Sequence, residues 1–597
     1  MKILQTEVLV VGGGTGGTAA AIQAARRGAH TILVSEFAWL GGMLTSAGVS
    51  APDGNELEAF QTGLWGAFLR ALEQRQPGGL DNAWVSFFTY EPRIGAEIFA
   101  EWVAQLANLD WIAGQVPLEV LKEGERVTGV RFRDITVFAK VTIDGTELGD
   151  LLALGKIPHR WGWEFQSEWD EPSAPRSHTS LTERYPVQAP TWVVMLKDFG
   201  AEIAPKIPPP PQYTSQRFAG AWENYGSESF LNYGRLPQGQ FMINWPIHGN
   251  DYGEGVERLI GDAQQKSEFL QAALWHAQGF AHFIQTHLGR RYGLAETVFP
   301  KVSESMGGGA FALHPYYRES RRLIGRVTVC EQDILPQGTI APLPIAITAE
   351  GCETVETWCE AIAIGNYAND HHYPSGDIPL KPKSMRWGGR WTGTPFTIPY
   401  GSLVSATVDG FLVCEKNISV SHIANGATRL QPLVLGIGQA AGMAAALCIE
   451  HNCQPRELPV RSLQNALLDD ASAPAAIVPL LNLPPTHPDW QFWQHYYLNN
   501  PESYPTNGYC PLSSRPLWRQ RQPGFRFSGT FHRQADQLYS LTMETQTTET
   551  LDQPWSLVTL RAEINDTLYQ YPSTVELLTV SGTMNSAGRW LLVESLE

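Results

Sequence analysis

Positive charge is scarce in this chain. Forty-three Lys and Arg stand against 60 Asp and Glu in 597 residues, a formal net charge of −17, and such a surface repels phosphate backbones. Nucleic acid is therefore not an expected partner, while a small anion remains compatible with a local cationic pocket. Cysteine is also scarce: there are seven, with none before Cys330, poor material for the disulfide framework of a secreted protein. No CxxC pair offers a dithiol electron shuttle. Cys448, His451 and Cys453 carry the spacing of a helix end rather than a zinc set, so no metal is expected. The N-terminus lacks the basic start and cleavage site of a signal peptide, and its first apolar run, Glu7–Val11, is too short to span a membrane. The expectation is a soluble, cytoplasmic protein. Gly (56) and Pro (41) are plentiful but follow no fixed period, which excludes fibrous and solenoid architectures.

What is present begins at residue 7. The run EVLVV breaks into GGGTGG and then into TAAAIQAARRG, an Ala-rich helix stopped at Gly28; a second apolar strand, Thr31–Val34, ends at Ser35-Glu36. This is one β-α-β unit of about 30 residues, the nucleotide-binding half of a doubly wound fold. Gly12, Gly14 and Gly17 form G-x-G-x-x-G between strand and helix, where a pyrophosphate must approach bare backbone N–H groups at a helix N-terminus. Glu36, at the end of the second strand, is placed to accept the ribose hydroxyls.

Downstream, Pro92 opens a helix carrying Ile94, Ile98 and Val103, and strands follow near Val127–Phe132 and Val137–Ile143. The middle is rich in Trp and Pro, with Pro208–Pro211 in one run and helices expected around 256 to 289. Nucleotide-domain character returns near 360 and ends in a long small-residue helix. Beyond about 510, apolar and polar residues alternate at period two. The expected fold class is α/β. A Rossmann-like dinucleotide domain takes residues 1–160 and 336–455, with an inserted substrate or cap domain at 161–335. A linker at 456–509 leads to a small C-terminal antiparallel β domain at 510–597.

Several segments carry a resemblance. LGGML (Leu40–Leu44) follows the ribose acid; VTIDGTELGDLLALG (Val141–Gly155) is a strand ending in Asp144 and a Gly turn. YYRESRRLIG (Tyr316–Gly325), AIAIGNYANDHHYP (Ala361–Pro374) and IPYGSLV (Ile398–Val404) come next, and VSHIANGATRLQP runs into GIGQAAGMAAA. In this order, over about residues 5 to 452, they resemble the FAD-dependent oxidoreductases of the glutathione-reductase-like superfamily, in the branch with an RESRR segment. The resemblance implies FAD as cofactor, Gly41 and Gly42 along its flavin side, and Asp144 in a turn returning to the nucleotide. It implies that Arg429, Gly436, Gly438, Gln439, Ala440 and Gly442 close the flavin site. One departure is Gly401, where the family pattern has Arg. The helix containing Gly436–Gly442 is also expected on physical grounds to bring its positive N-terminal end to the reduced flavin's negative charge.

Candidate proton handlers are His422, in the polar segment before that helix, and His372, two residues after Asp370. Each competes with a structural role. Arg318, with Arg321, Arg322 and Glu319, is either a salt-bridged strand edge or a guanidinium for a substrate carboxylate. Trp161, Trp163, Trp169, Trp192, Trp222 and Trp245 are read as core before cavity wall. With no second G-x-G-x-x-G after a strand, the reductant is expected to be the substrate itself. The expected activity is a dehydrogenase or oxidase that oxidises a small or medium organic molecule by hydride transfer to flavin N5. A flavin monooxygenase or reductase is the alternative enzyme, and a flavin-containing binding or scaffold protein the alternative of another class. Substrate, electron acceptor and homo-oligomerisation stay open.

Overall fold

Lys2–Val11 (β1) ends in four buried apolar residues, the pattern of a strand covered on both faces. Around it the computed structural model, which describes residues 2–597 except 304, 348–356, 515, 517, 520–523 and 544–552, builds a seven-stranded sheet. Helix α1 (Thr15–Arg26) connects β1 to its parallel neighbour β2 (Thr31–Ser35), and Leu109–Ala113 (β3) pairs with β2 in parallel at the edge. On the other side of β1 lies Ile135–Asp144 (β6), followed by the antiparallel pair Arg126–Phe132 (β5) and Pro117–Glu123 (β4). The upper half of β6 is also paired in parallel by a strand from far along the chain, Phe411–Val413 (β7). Val11, Val34, Asp144 and Val413 thus end side by side. Carboxyl ends of parallel strands gathered at one rim are where this fold class binds ligands.

Ala263–Leu288 (α2), started by the reciprocal Asp262–Gln265 capping box, belongs to the inserted segment with a four-stranded antiparallel sheet. Here the helical stretch expected from about 256 is a short 3₁₀ turn, Val256–Ile260, followed by α2. Trp192 and Trp245 are core residues of this region, and Trp222 packs at its margin.

His422–Thr428 (α3) and Gln431–His451 (α4) return to the nucleotide side. Among the described residues, α4 is the one helix long and apolar enough to cross a membrane, and it is enclosed by the protein. It crosses α1 closely: a Cβ at Gly438 or Gly442 would overlap the backbone of Gly16 or Ala20.

The 456–509 segment is not a linker. It forms Val460–Leu468 and Trp490–Asn499, and Leu463, Leu467, Ile477 and Val478 are fully enclosed in the main core. Its prolines interrupt secondary structure without removing the apolar residues that pack. Residues Phe525–Ala535 (β8), Leu538–Met543 (β9), Trp555–Val558 (β10), Thr574–Asn585 (β11) and Trp590–Leu596 (β12) close a barrel. Its pairings are antiparallel except β10–β12, which are parallel because the helix Ala562–Gln570 and β11 intervene between them. Trp590 and Asn585 contact Asp81, and Arg561 pairs with Glu58, so the barrel docks on the first quarter of the chain.

Candidate functional site

The strand ends open onto a cavity of about 460 Å³ lined by Gly12–Gly14, Glu36, Val116, Pro117, Gly145–Leu148, His314 and Tyr317. Its walls include Asp262 and Lys266, so the start of α2 covers the nucleotide rim. Gly14 is the extended residue before α1, and Gly17 lies over the Gly12 carbonyl. Gly42, with a left-handed φ of +50°, brings the second glycine turn against the first: a Cβ there would lie 2.7 Å from Gly14 Cα and from Thr15 N. Only a chain without side chains at both positions leaves this approach to the α1 N-terminus open. Gly41 is fixed by hydrogen bonds to Gly13 and Thr18. Among the described residues no donor reaches the Glu36 carboxylate, which faces the cavity; burial raises its pKa. These features fit a dinucleotide with adenosine toward Glu36 and pyrophosphate over Gly12–Gly14.

Three charged residues at this rim were not singled out from the sequence. Glu415 Oε1 accepts the Gly16 N–H at 2.6 Å, placing a carboxylate on the positive end of α1. Lys416, fully buried, joins Glu415 at 3.1 Å and Glu147 at 2.6 Å. Burial drives Glu415 upward despite Lys416 beside it. Glu415 follows β7 as Glu36 follows β2, so the strand-end rule could have found it; Lys416 and Glu147 meet only in three dimensions. Asp144 itself is a correction. It is fully buried behind the turn, where its Oδ1 accepts the Thr146 hydroxyl and N–H at 2.6 and 2.9 Å. Burial pushes it up to about 7. Gly145 and Thr146, rather than Asp144, line the cavity.

The helix carrying the glycines also differs from expectation. Its N-terminus is Leu430–Gln431, with Pro432 in the first turn, so the free N–H groups lie there and not at Gly436–Gly442. Gly438 and Gly442 serve the crossing with α1, Gly436 sits beside Ala363, and Ala440 is core. Gln439 accepts from Leu64 N–H at 2.9 Å and donates to Gln23 and Ala473, a structural bridge rather than a cofactor contact.

Next to the α4 N-terminus is a polar recess. Gly54 approaches Leu430 and Tyr367, and Asn55 ties the segment to Ile364 by a 2.9 Å hydrogen bond. Asp53, Tyr233, Tyr367 and Asp370 keep accessible surface there although burial is the largest influence on each of their carboxyls or hydroxyls. These partly accessible groups stand close to one another beside Leu430. His372 bridges two carboxylates in this recess: Nδ1 lies 2.7 Å from Asp251 and Nε2 2.9 Å from Asp370. Asp251 is anchored in turn by Arg318 at 3.2 Å and by Thr191, and Asp370 by Arg429 at 3.0 Å. Arg429 also donates to the Tyr316 hydroxyl at 2.6 Å. Burial opposes the charge on Asp370, yet His372, Arg429 and Arg318 hold its carboxyl far below the usual range. Its side chain is 40% accessible, that of His372 12%.

His422 is not in the recess. Its ring is fully enclosed, with Trp163 at 3.8 Å between centroids, Glu319 Oε1 at 2.9 Å from Nδ1 and the Tyr373 hydroxyl at 2.6 Å from Nε2. Burial, then the His422 charge, pushes His371 down to about 3. Neutral His371 gives its one proton, on Nε2, to the Ile423 carbonyl, so its Nδ1 takes the Tyr373 proton. The Tyr373 hydroxyl thus bridges His371 Nδ1 and His422 Nε2, while His422 Nδ1 meets Glu319. Both nitrogens are used and no ring atom is free for a substrate. Arg322 completes this buried set, joining Glu164 and Glu319 at 2.9 and 3.2 Å on the short strand edge Arg322-Leu323.

Of the expected residues, Gly12, Gly14, Glu36 and Gly42 line the cavity, with Gly17 and Gly41 packed behind them, and His372, Arg318 and Arg429 meet at the recess. His422, Asp144, Gln439 and the α4 glycines lie elsewhere.

The sequence profile of the FAD-dependent oxidoreductase family matches residues 7–467. No curated protein matches the chain. Among solved structures, it is similar to a geranylgeranyl bacteriochlorophyll reductase-like protein from Thermoplasma acidophilum at 11% identity and TM-score 0.31, covering 78% of this chain and 84% of that one. A myxobacterial chondrochloren halogenase matches at 11% and 0.31, over 77% and 78% of the two chains. A flavin-dependent brominase matches at 13% and 0.23, over 34% and 48%.

Proposed function

The chain belongs to the FAD-dependent oxidoreductase family, and from that premise we propose that it oxidises a small or medium organic substrate by hydride transfer to flavin N5. Gly12, Gly14, Gly17, Glu36, Gly41 and Gly42 would hold FAD, which when bound would supply the two-electron acceptor. The observation that carries the reading is the Asp251–His372–Asp370 array opening into the recess beside the α4 N-terminus.

Each His372 nitrogen faces a carboxylate oxygen, so each contact needs a proton between N and O. Arg318 and Arg429 fix the outer carboxylates, which locks the ring plane. The accessible Asp370 carboxylate, held ionised by His372 and Arg429, can then accept a hydrogen bond from a substrate O–H or N–H and orient it. Arg318 acts through Asp251 and is a positioning residue, since its guanidinium is buried among Ala189, Thr191 and Asp251.

The test is anaerobic reduction of the FAD-bound protein by a panel of primary amines, secondary alcohols and hydroxy acids. Bleaching of the flavin by one class without a nicotinamide supports the reading. Bleaching only after NADH or NADPH is added assigns the monooxygenase or reductase alternative instead.

A further inference from the structure

The arginines of the RESRR segment are sent in three directions by the fold. Arg318 reaches Asp251 at 3.2 Å, and Arg322 reaches Glu164 and Glu319 at 2.9 and 3.2 Å. Arg321 turns instead to the cavity at the strand ends, where it joins Gly12–Gly14 and Glu36 in the lining. Its backbone N–H and its Nη1 both donate to the Leu148 carbonyl, at 3.4 and 2.9 Å, and Nη1 also lies 3.2 Å from Asp150 Oδ1. One corner of the guanidinium is thereby fixed on the turn that follows β6. Among the described residues nothing accepts from Nε or Nη2, although only 10% of the side chain is accessible. A guanidinium with one corner tied and two parallel N–H donors unmet is set up for a bidentate anion.

Lys266 lines the same cavity from α2, four residues after the cap Asp262, and among the described residues its ammonium has no ion-pair or hydrogen-bond partner. In keeping with that place, its charge is felt by Glu36 and by His314, both of which also line the cavity. His314 supplies no charge of its own. Burial lowers its pKa, and its two ring nitrogens lie 2.9 Å from the Ser46 hydroxyl and from the Pro315 carbonyl.

A diphosphate over Gly12–Gly14 would enter a lining that already holds Glu36, Glu147, Asp150 and Asp262. The positive end of α1 is also partly spent, because Glu415 accepts the Gly16 N–H at 2.6 Å. The glycine N–H groups alone therefore leave the two phosphate charges uncompensated. We propose that Arg321 and Lys266 are the cations that hold the cofactor's diphosphate, so that the inserted segment clasps FAD as well as covering the substrate side. Arg321 suits a bidentate contact with phosphate oxygens, and Lys266 adds a point charge. The inference concerns the nucleotide end and does not depend on the recess.

The experiment is titration of the full-length, FAD-stripped protein with FAD, followed by flavin fluorescence at several salt concentrations, with ADP and adenosine as competitors. Wild-type affinity for FAD and ADP should fall as salt rises. Arg321→Gln and Lys266→Gln should each weaken both ligands by about tenfold and make the salt dependence shallower. Adenosine, which lacks the diphosphate, should compete equally well in all three proteins. Lys266 is partly exposed, so its variant serves if Arg321→Gln does not fold. Unchanged FAD and ADP affinity in the folded variants, or an equal loss of adenosine binding, overturns the proposal.

Discussion

His372 Nε2 lies 2.9 Å from Asp370 Oδ2 while its other nitrogen lies 2.7 Å from Asp251, so one imidazole joins a carboxylate open to the recess to one that is buried. Asp370→Asn should retain FAD and slow flavin reduction by about 100-fold, because the ionised oxygen that orients the substrate and anchors His372 is lost. His372→Ala should slow the same step, since it leaves both carboxylates without their bridge. Stopped-flow reduction at saturating substrate checks both; an unchanged rate in Asp370→Asn would remove this residue from the chemistry.

The buried His422–Glu319 pair predicts a different phenotype. His422→Ala strands Glu319 and Arg322 in the interior and should cost about 3 kcal/mol or more of stability. In protein that remains folded, reduction at saturating substrate should be little changed. Denaturant midpoints together with stopped-flow rates separate this from a catalytic role, which would lower the rate at unchanged stability.

The α4 glycines divide by what surrounds them. A Cβ at Gly436 meets nothing nearer than Ala363 Cβ at 3.6 Å, so Gly436→Ala should stabilise the helix by about 0.5–1 kcal/mol with FAD occupancy intact. At Gly442 the same Cβ overlaps the Ala20 backbone, and Gly442→Ala should lose stability as the α1–α4 crossing is forced apart. Thermal melts of the two variants should move in opposite directions.

Glu171 carries a pH prediction. Its Oε1 accepts the Glu331 N–H at 2.7 Å and the Ser421 hydroxyl, but Oε2 is buried without a partner, and burial pushes the carboxyl up to about 7. The folded state thus holds this proton more tightly than the unfolded chain. The contribution to stability is complete below about pH 4.5 and is lost as pH rises to about 7. Glu171→Gln should flatten the stability–pH profile by one proton across that window and melt higher than wild type at pH 8. An unaltered slope would contradict the assignment.

The nucleotide rim was legible because its determinants are local. Gly12 to Glu36 is one strand, turn, helix and strand, and the backbone demands at Gly14 and Gly42 leave a residue-level trace. The recess was only half legible. His372 and Asp370 are neighbours in sequence, but Asp251 comes from the inserted segment and Asp53 from an ordinary-looking Ala-Pro-Asp-Gly stretch. Neither carries a local signal, because their meeting depends on how Gly54 approaches Leu430 and Tyr367. His422 misled for a related reason: its position before α4 is adjacent in sequence, whereas Ser421 caps α3 and turns the histidine toward Trp163 and Glu319. The 456–509 segment was misread because prolines punctuate it, although its leucines and isoleucines fill the core.

The central claim is that the recess, not the His422 pocket, faces the reacting end of the cofactor. A crystal structure of the FAD-bound protein tests it most directly. The account predicts adenosine beside Glu36 and Pro117, pyrophosphate over Gly12–Gly14, and the isoalloxazine between Gly42 and the first turn of α4, with Asp370 and Asp53 across an open gap from it. An isoalloxazine lying against His422 and Trp163, or turned so that Asp370 is screened from it, would contradict the account.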